Sequence, residues 1–239
     1  IGFKSLKKIQ KHHWKYIVVS SLLGTLFPAF FFAFAITGID SSVASILNSM
    51  TSLNALIVAT LFFGVVFKRI QLVGVLIGLV GTTLLILESS SLNPNQNYWY
   101  AIFVLVASLG YAFNVNIIKK YLSDISALSI TTGHFILLII PVFLLLVFSG
   151  FFTSVSFTPE IKTSFMYLII LSIVGTGLAK IMFNQLIQMS SPVFSTSVAY
   201  LIPIVAIIWG FIDGEKVSYL QLLAGVIILT GIYIVNKVK

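Results

Sequence analysis

The chain contains no cysteine, which excludes disulfides, thiol nucleophiles and cysteine-ligated metal sites. It is also poor in charge. Only 8% of its 239 residues are charged, where a soluble domain keeps about 25% to face water. Acids are scarcest, at six, and none falls in the middle of an apolar run. Of the three histidines, His12 and His13 lie in a basic head and His134 stands alone. An intramembrane enzyme needs a nucleophile–base pair or a metal cluster, and neither HExxH nor GxSxG occurs. The expectation is a protein that is not an enzyme, with no cofactor and no metal. The formal net charge of +8 does not point to nucleic acid, because the lysines sit in short clusters between apolar runs and not on one polar face.

What the chain has in excess is apolar length. Hydrophobic residues make up 59% of it, and the mean hydropathy is +1.10. This composition belongs to an all-α, polytopic membrane helix bundle. Continuous runs without two-residue alternation favour helices over barrel strands. Eight spans are expected, near 14–36, 41–67, 70–88, 98–118, 125–149, 164–188, 192–212 and 218–236. If they alternate, Lys4, Lys7, Lys8, Lys11, Lys15, Lys68, Arg69, Lys119, Lys120, Lys237 and Lys239 share one side. The other holds Asp40, Glu88, Glu160, Asp213 and Glu215, with Lys162 and Lys216. The positive-inside rule makes the lysine-rich side, and the C-terminus, cytoplasmic. The partner is the lipid bilayer of the cell (cytoplasmic or plasma) membrane. Trp14, Tyr16 and Tyr98–Tyr100 fit interfacial aromatic belts. Asp40 or Ser41 can cap the second span and Ser191-Pro192 the seventh. Pro28, Pro141 and Pro203 should kink their helices.

An internal repeat runs through these spans. A shift of 150 positions carries Ser41 to Ser191, Ser45 to Ser195, Gly64 to Gly214, Gln71 to Gln221 and Gly81 to Gly231. A shift one longer carries Gly24-Thr25 to Gly175-Thr176. The second copy has two further spans in front, so the unit has five. We therefore divide the chain into a cytoplasmic basic loop (1–15), the last three spans of a first repeat (16–88) and a second five-span repeat (98–238). The expected parent has ten spans in two inverted halves, with two spans preceding Ile1. Inverted halves are a transporter architecture that binds substrate at midplane.

Gly175-Thr176 through Asn184, the Ser190-Ser191-Pro192 hairpin, Pro203, and Gly214-Glu215 followed by Gln221 and Gly231 resemble the EamA-type members of the drug/metabolite transporter superfamily. The first half departs from that pattern, with Leu53 where a proline is usual and Val65 where a glutamate is usual. The resemblance implies secondary transport of small organic metabolites. Export or exchange of amino-acid-like or other anionic or zwitterionic solutes is the leading reading, and nucleotide-sugar or nucleotide-metabolite carriage the alternative. A channel is a rival from another class, but no filter-like repeated polar loop is visible.

Lys180 is the sharpest single residue. A lysine at a helix centre costs about 2.5–3.5 kcal/mol on insertion scales. It needs a wet cavity or a partner, or must snorkel to the surface. Thr176, Lys180, Asn184 and Gln188 recur every four residues and so form one polar stripe. With Lys180, the expected substrate-binding residues are Thr176, Asn184, Ser45, Asn48, Tyr111, Asn114, Ser195 and Tyr200. Interhelical hydrogen bonding, worth about 0.6 kcal/mol each, is the competing explanation for the neutral ones. His134 could relay a proton or simply bond between helices. Gly74 and Gly78 permit close helix contact, either as packing within the bundle or as the face of a homodimer.

Overall fold

The computed structural model describes residues 2–66, 68–92, 95–154, 159–214 and 217–237. Among them every regular element is helical. After a short turn of helix, Gly2–Leu6, eight longer helices follow. They are α1 (Lys11–Ala35), α2 (Ser41–Phe63), α3 (Arg69–Leu92), α4 (Tyr98–Tyr121), α5 (Ala127–Phe148), α6 (Ile161–Met189), α7 (192–212) and α8 (Tyr219–Lys237). Helices α1 to α6 are each long and apolar enough to cross a membrane, with 21 to 29 residues in the apolar stretch. In α8 the apolar stretch, Tyr219–Val235, is shorter. The protein is a polytopic helical membrane bundle.

Its outer surface is apolar. Phe143, Leu168 and Leu223 are each more than half exposed, as lipid contact requires when every backbone group is paired within a helix. The basic head is not featureless chain, since α1 already begins at Lys11. The cap expected at Ser191-Pro192 is present, and the one expected from the Asp40 side chain is not. Ser191 Oγ accepts from the Phe194 N–H at 3.1 Å, and Pro192 occupies the first turn, where its missing N–H costs nothing. Asp40 holds the cap position of α2 with extended backbone, but makes no side-chain cap. Its carboxylate accepts from Gln96 Nε2 at 2.6 Å instead.

Helix α4 is central and packs against α1, α2, α6 and α7. Ala107, Ala112, Val115 and Ile118 on it are fully buried. One end of the bundle gathers the starts of α1 and α5 and the ends of α2, α4 and α6. Here Lys119 Nζ donates to the Gln188 carbonyl at 2.8 Å and Lys120 Nζ to the Phe63 carbonyl at 3.4 Å. Both ammonium groups therefore cap helix C-termini, where the dipole favours a cation. At the same end His13 Nε2 lies 2.9 Å from Asp124 Oδ2. Slight burial pushes the Asp124 pKa up. The hydrogen bond from His13, a backbone bond and the charges of His13 and His12 outweigh it, so the pKa lies below the ordinary 3.8.

Helices α3 and α8 run antiparallel at very close range. A Cβ added at Gly231 would stand 2.5 Å from the Gly74 carbonyl and 2.7 Å from the Gly78 nitrogen, and one at Gly81 would stand 2.9 Å from the Ile228 nitrogen. The pair Gly74–Gly231 becomes Gly81–Ala224 when each residue is replaced by its partner 150 positions away, and Gly78–Gly231 becomes Gly81–Ile228. Both members of each exchanged pair are in contact. Gln71 and Gln221 are likewise used alike, accepting from the backbone N–H of Lys68 and of Ser218, each at 2.9 Å. Gly64 and Gly214 both close their helices at positive φ, 76° and 83°, the left-handed turn that glycine adopts without strain. The Gly74–Gly78 pair is thus spent on packing inside the chain.

Two outcomes follow from this packing. Gly231→Ala should cost about 1–3 kcal/mol by overpacking, whereas Gly225→Ala, whose Cβ would meet Ile46 at an ordinary 4.0 Å, should stay within about 0.5 kcal/mol; thermal unfolding in detergent compares them. For Asp124 the sign is that of a depressed carboxylate. Its contribution is complete above pH 3.8 and is lost as pH falls through the lower folded value. Melting temperature measured against pH should therefore show a smaller acid-side decline in Asp124→Asn.

Candidate functional site

Four helices lose regular α-geometry at one level of the bundle. In α1 the turn Leu22–Leu26 is widened to π geometry, and the Phe27 N–H reaches back five residues to Leu22. In α6 the same happens over Leu171–Leu178, with the Ala179 N–H reaching Val174. These wide turns hold Gly24-Thr25 and Gly175-Thr176, the residues that the repeat equates. Helix α2 breaks between Asn48 and Thr51, where Ser49 Oγ donates to Ile46 O at 2.6 Å and Thr51 Oγ1 to Asn48 O at 2.7 Å. Hydroxyls that bond local carbonyls compete with the helix ladder. Helix α7 tightens to a 3-10 turn over Ser197–Tyr200, which a shift of 150 carries onto the break in α2.

A cavity of about 530 Å³ opens among these irregular turns. Its wall includes Gly24, Thr25 and Ala29 of α1, Asn48 and Thr51 of α2, Gly175, Thr176 and Lys180 of α6, and Thr196, Val198 and Ala199 of α7. Tyr111 and Asn114 of α4 and Phe183 and Asn184 of α6 complete most of the rest. Two features make the room. Gly24 leaves room for the Asn114 carboxamide, which a Cβ there would displace. Gly110 lets α4 approach α1 so closely that a Cβ would stand 2.7 Å from the Leu23 carbonyl.

Lys180 points into the bundle. Its Nζ donates to the Gly24 carbonyl at 3.0 Å and to Thr25 Oγ1. The α-helical donor for that carbonyl would be the N–H of residue 28, which is proline and has none. The lysine of one helix thus supplies what the proline of another withholds. Among the described residues no carboxylate lies within ion-pair distance of Lys180, and the cavity wall contains no acid.

The other expected residues divide. Thr176, Asn184, Asn48, Tyr111 and Asn114 join Lys180 on the cavity wall. Asn114 Oδ1 accepts from Ser20 Oγ at 2.5 Å, and Asn184 Nδ2 donates to Thr131 Oγ1 at 2.9 Å. Ser45 and Ser195 are not on the wall. Ser195 is fully buried, and its hydroxyl is spent on the Ser191 and Pro192 carbonyls at 2.8 and 3.2 Å. Gln188 leaves the stripe and donates to the carbonyls of Leu122 and Ile125 at 3.0 and 2.7 Å. His134 is buried, with neither ring nitrogen bonded among the described residues, and it is off the wall. The side chain of Tyr200 lies outside the described residues. Thr25, Thr51 and Thr196 are wall residues that the sequence reading did not select. The Gly-Thr repeat was the available signal for Thr25, but neither of the other two lies in such a pattern.

Comparison with known proteins agrees with this architecture. The model of the EamA-like transporter family matches residues 1–87 and 98–237, and the chain belongs to that family. An Escherichia coli K12 protein described as the uncharacterized inner membrane transporter YedA is 28% identical over 203 residues, covering 84% of this chain and 63% of its own length. Its counterpart in Escherichia coli O157:H7 matches to the same extent. The chain thus spans a little under two thirds of the curated relatives it matches. A solved crystal structure, 13% identical, superposes with a TM-score of 0.63 over 98% of this chain and 78% of that one, a likeness of fold alone.

The absence of native cysteine makes the cavity wall testable by labelling. Single cysteines at Ala29 and Ala199 should react with a water-soluble thiol reagent about tenfold or more faster than one at the buried Ser195, since reaction needs a wet, ionised thiol. Equal rates at all three would mean that the wall is assigned wrongly.

Proposed function

We propose that the protein is a secondary carrier moving small organic solutes with a carboxylate or similar anionic group by alternating access. The observation that carries this reading is a lysine ammonium on the wall of a mid-bundle cavity, bonded to a carbonyl and a hydroxyl and, among the described residues, to no acid. An intramembrane cation is expensive and needs a use. A site that supplies the cation but not the counter-charge suits cargo that brings it.

The surroundings support the same reading. Carriers built of inverted repeats place discontinuous helices at the substrate site, and four irregular turns surround this cavity. The exchange of the α3–α8 contacts under the 150-residue shift supports treating 16–88 and 98–238 as parts of two inverted repeats. Membership of the EamA-like family makes a transporter the expected class, and the curated relatives are described as inner membrane transporters. The lysine-rich end is then cytoplasmic, and export or exchange is the direction proposed. Asn48, Thr51, Tyr111 and Thr176 would orient the rest of the solute, and His134 would act as a proton relay if flux proves to be proton-coupled.

The test is flux in vesicles reconstituted with the full-length protein, comparing amino acids, nucleotide-linked metabolites and cationic drugs. Saturable flux of the carboxylate-bearing solutes is expected. Lys180→Met should lower it by about tenfold or more, the worth of a lost hydrogen bond to a charged group. A folded Lys180→Met protein that carries these solutes at the parental rate would sink the site assignment. Unsaturable, voltage-driven flux would indicate a channel.

A further inference from the structure

The geometry points to Lys180 as a tie between α6 and α1 that a carboxylate releases. The inference rests on the carrier reading above and extends it to how an occupied site differs from an empty one. On the cavity wall the ammonium already has partners of its own. It is bound to Gly24 O and Thr25 Oγ1 on α1. That carbonyl is available because Pro28 gives it no α-helical donor. The repeat makes the arrangement one-sided. Under the 151-residue shift Pro28 corresponds to Ala179 and Lys180 to Ala29, so one copy withholds a donor and the other provides an extra one.

The α6 residues from Leu171 to Thr176 are exposed, and the other polar anchors of α6 go elsewhere. Asn184 bonds to α5 through Thr131. Gln188 bonds to the segment joining α4 and α5, through Leu122 and Ile125. Among the described residues, the Lys180 tie is therefore a polar link spanning the cavity from α6 to α1. A carboxylate is a stronger acceptor for an ammonium than an amide carbonyl or a hydroxyl, because it adds the attraction of opposite unit charges to the hydrogen bond. An anionic solute entering the cavity competes for the same nitrogen, and when it wins, α1 and α6 are uncoupled at their wide turns. Occupancy then changes the link between the halves, as alternating access requires.

The test uses the full-length protein in nanodiscs, with spin labels on cysteines at the exposed positions Phe34 of α1 and Leu168 of α6, and sodium acetate as the simplest carboxylate. Sodium chloride at equal ionic strength is the control. The ligand-free protein should give a narrow interlabel distance distribution, which acetate broadens or shifts and chloride does not. Lys180→Met should show the released distribution without acetate and respond to it no further. Pro28→Ala keeps the lysine but offers the Gly24 carbonyl an N–H of its own. It should lower the acetate concentration for half the change about tenfold, equivalent to about 1.4 kcal/mol. A Lys180→Met distribution identical to the narrow parental one overturns the tie. An acetate response that survives in Lys180→Met, or that is missing while Lys180→Met is released, overturns its displacement by carboxylate. The carrier reading fails separately, through the vesicle flux assay, where loss of saturable transport leaves these ligand-free distances unaffected.

Discussion

Proline at position 28 removes one backbone donor from the middle of a membrane helix, and the lysine at position 180 supplies another from across a cavity. In water such an exchange would mean little, because solvent would serve both groups. Inside a bilayer an unpaired carbonyl and an unpaired ammonium are each costly, so each stabilises the other's presence. The inward aim of Lys180, toward the wide turn of α1, fits that pairing. The cavity's character fits it too, since Lys180, the only cation on the wall among the described residues, is held by neutral acceptors.

The same economy appears at the ends of the bundle. Where α2 and α6 finish, Lys120 and Lys119 bond to their last carbonyls. Where α3 and α8 start, Gln71 and Gln221 bond to the backbone three residues before them. These paired uses, with the glycine contacts that exchange between α3 and α8, give the bundle a closely packed flank. The four irregular turns lie away from it, around the cavity. The proposed carrier would use this division, one part keeping its shape while the cavity-lining helices rearrange.

Much of this was legible in the residues. Apolar runs set the spans, because length and hydrophobicity alone decide what can cross a bilayer. Lys180 stood out because a charge in such a run needs a reason, and the Gly-Thr repeat marked both wide turns. The break in α2 was not legible. Ser49 and Met50 carry no proline or glycine, and the helix yields there to hydroxyls that bond nearby carbonyls, a competition set by surroundings that sequence does not display. For the same reason Ser195 resembled a site residue by its place in the repeat, while its hydroxyl is consumed within its own helix. Gln188 shared the spacing of the Lys180 stripe but falls where the helix ends and serves the loop beyond. Periodicity identifies a face of a helix, but it does not say how far along that face the cavity extends.

The Lys180 nitrogen should lie in one place when the cavity is empty and in another when it is filled. Solid-state NMR can measure this in lipid, as the dipolar coupling between the isotope-labelled side-chain nitrogen of Lys180 and the labelled carbonyl carbon of Gly24. We expect a strong coupling in the ligand-free protein, consistent with the 3.0 Å contact, and its loss when acetate is added. A coupling absent from the empty protein, or unchanged at saturating acetate, would contradict the account.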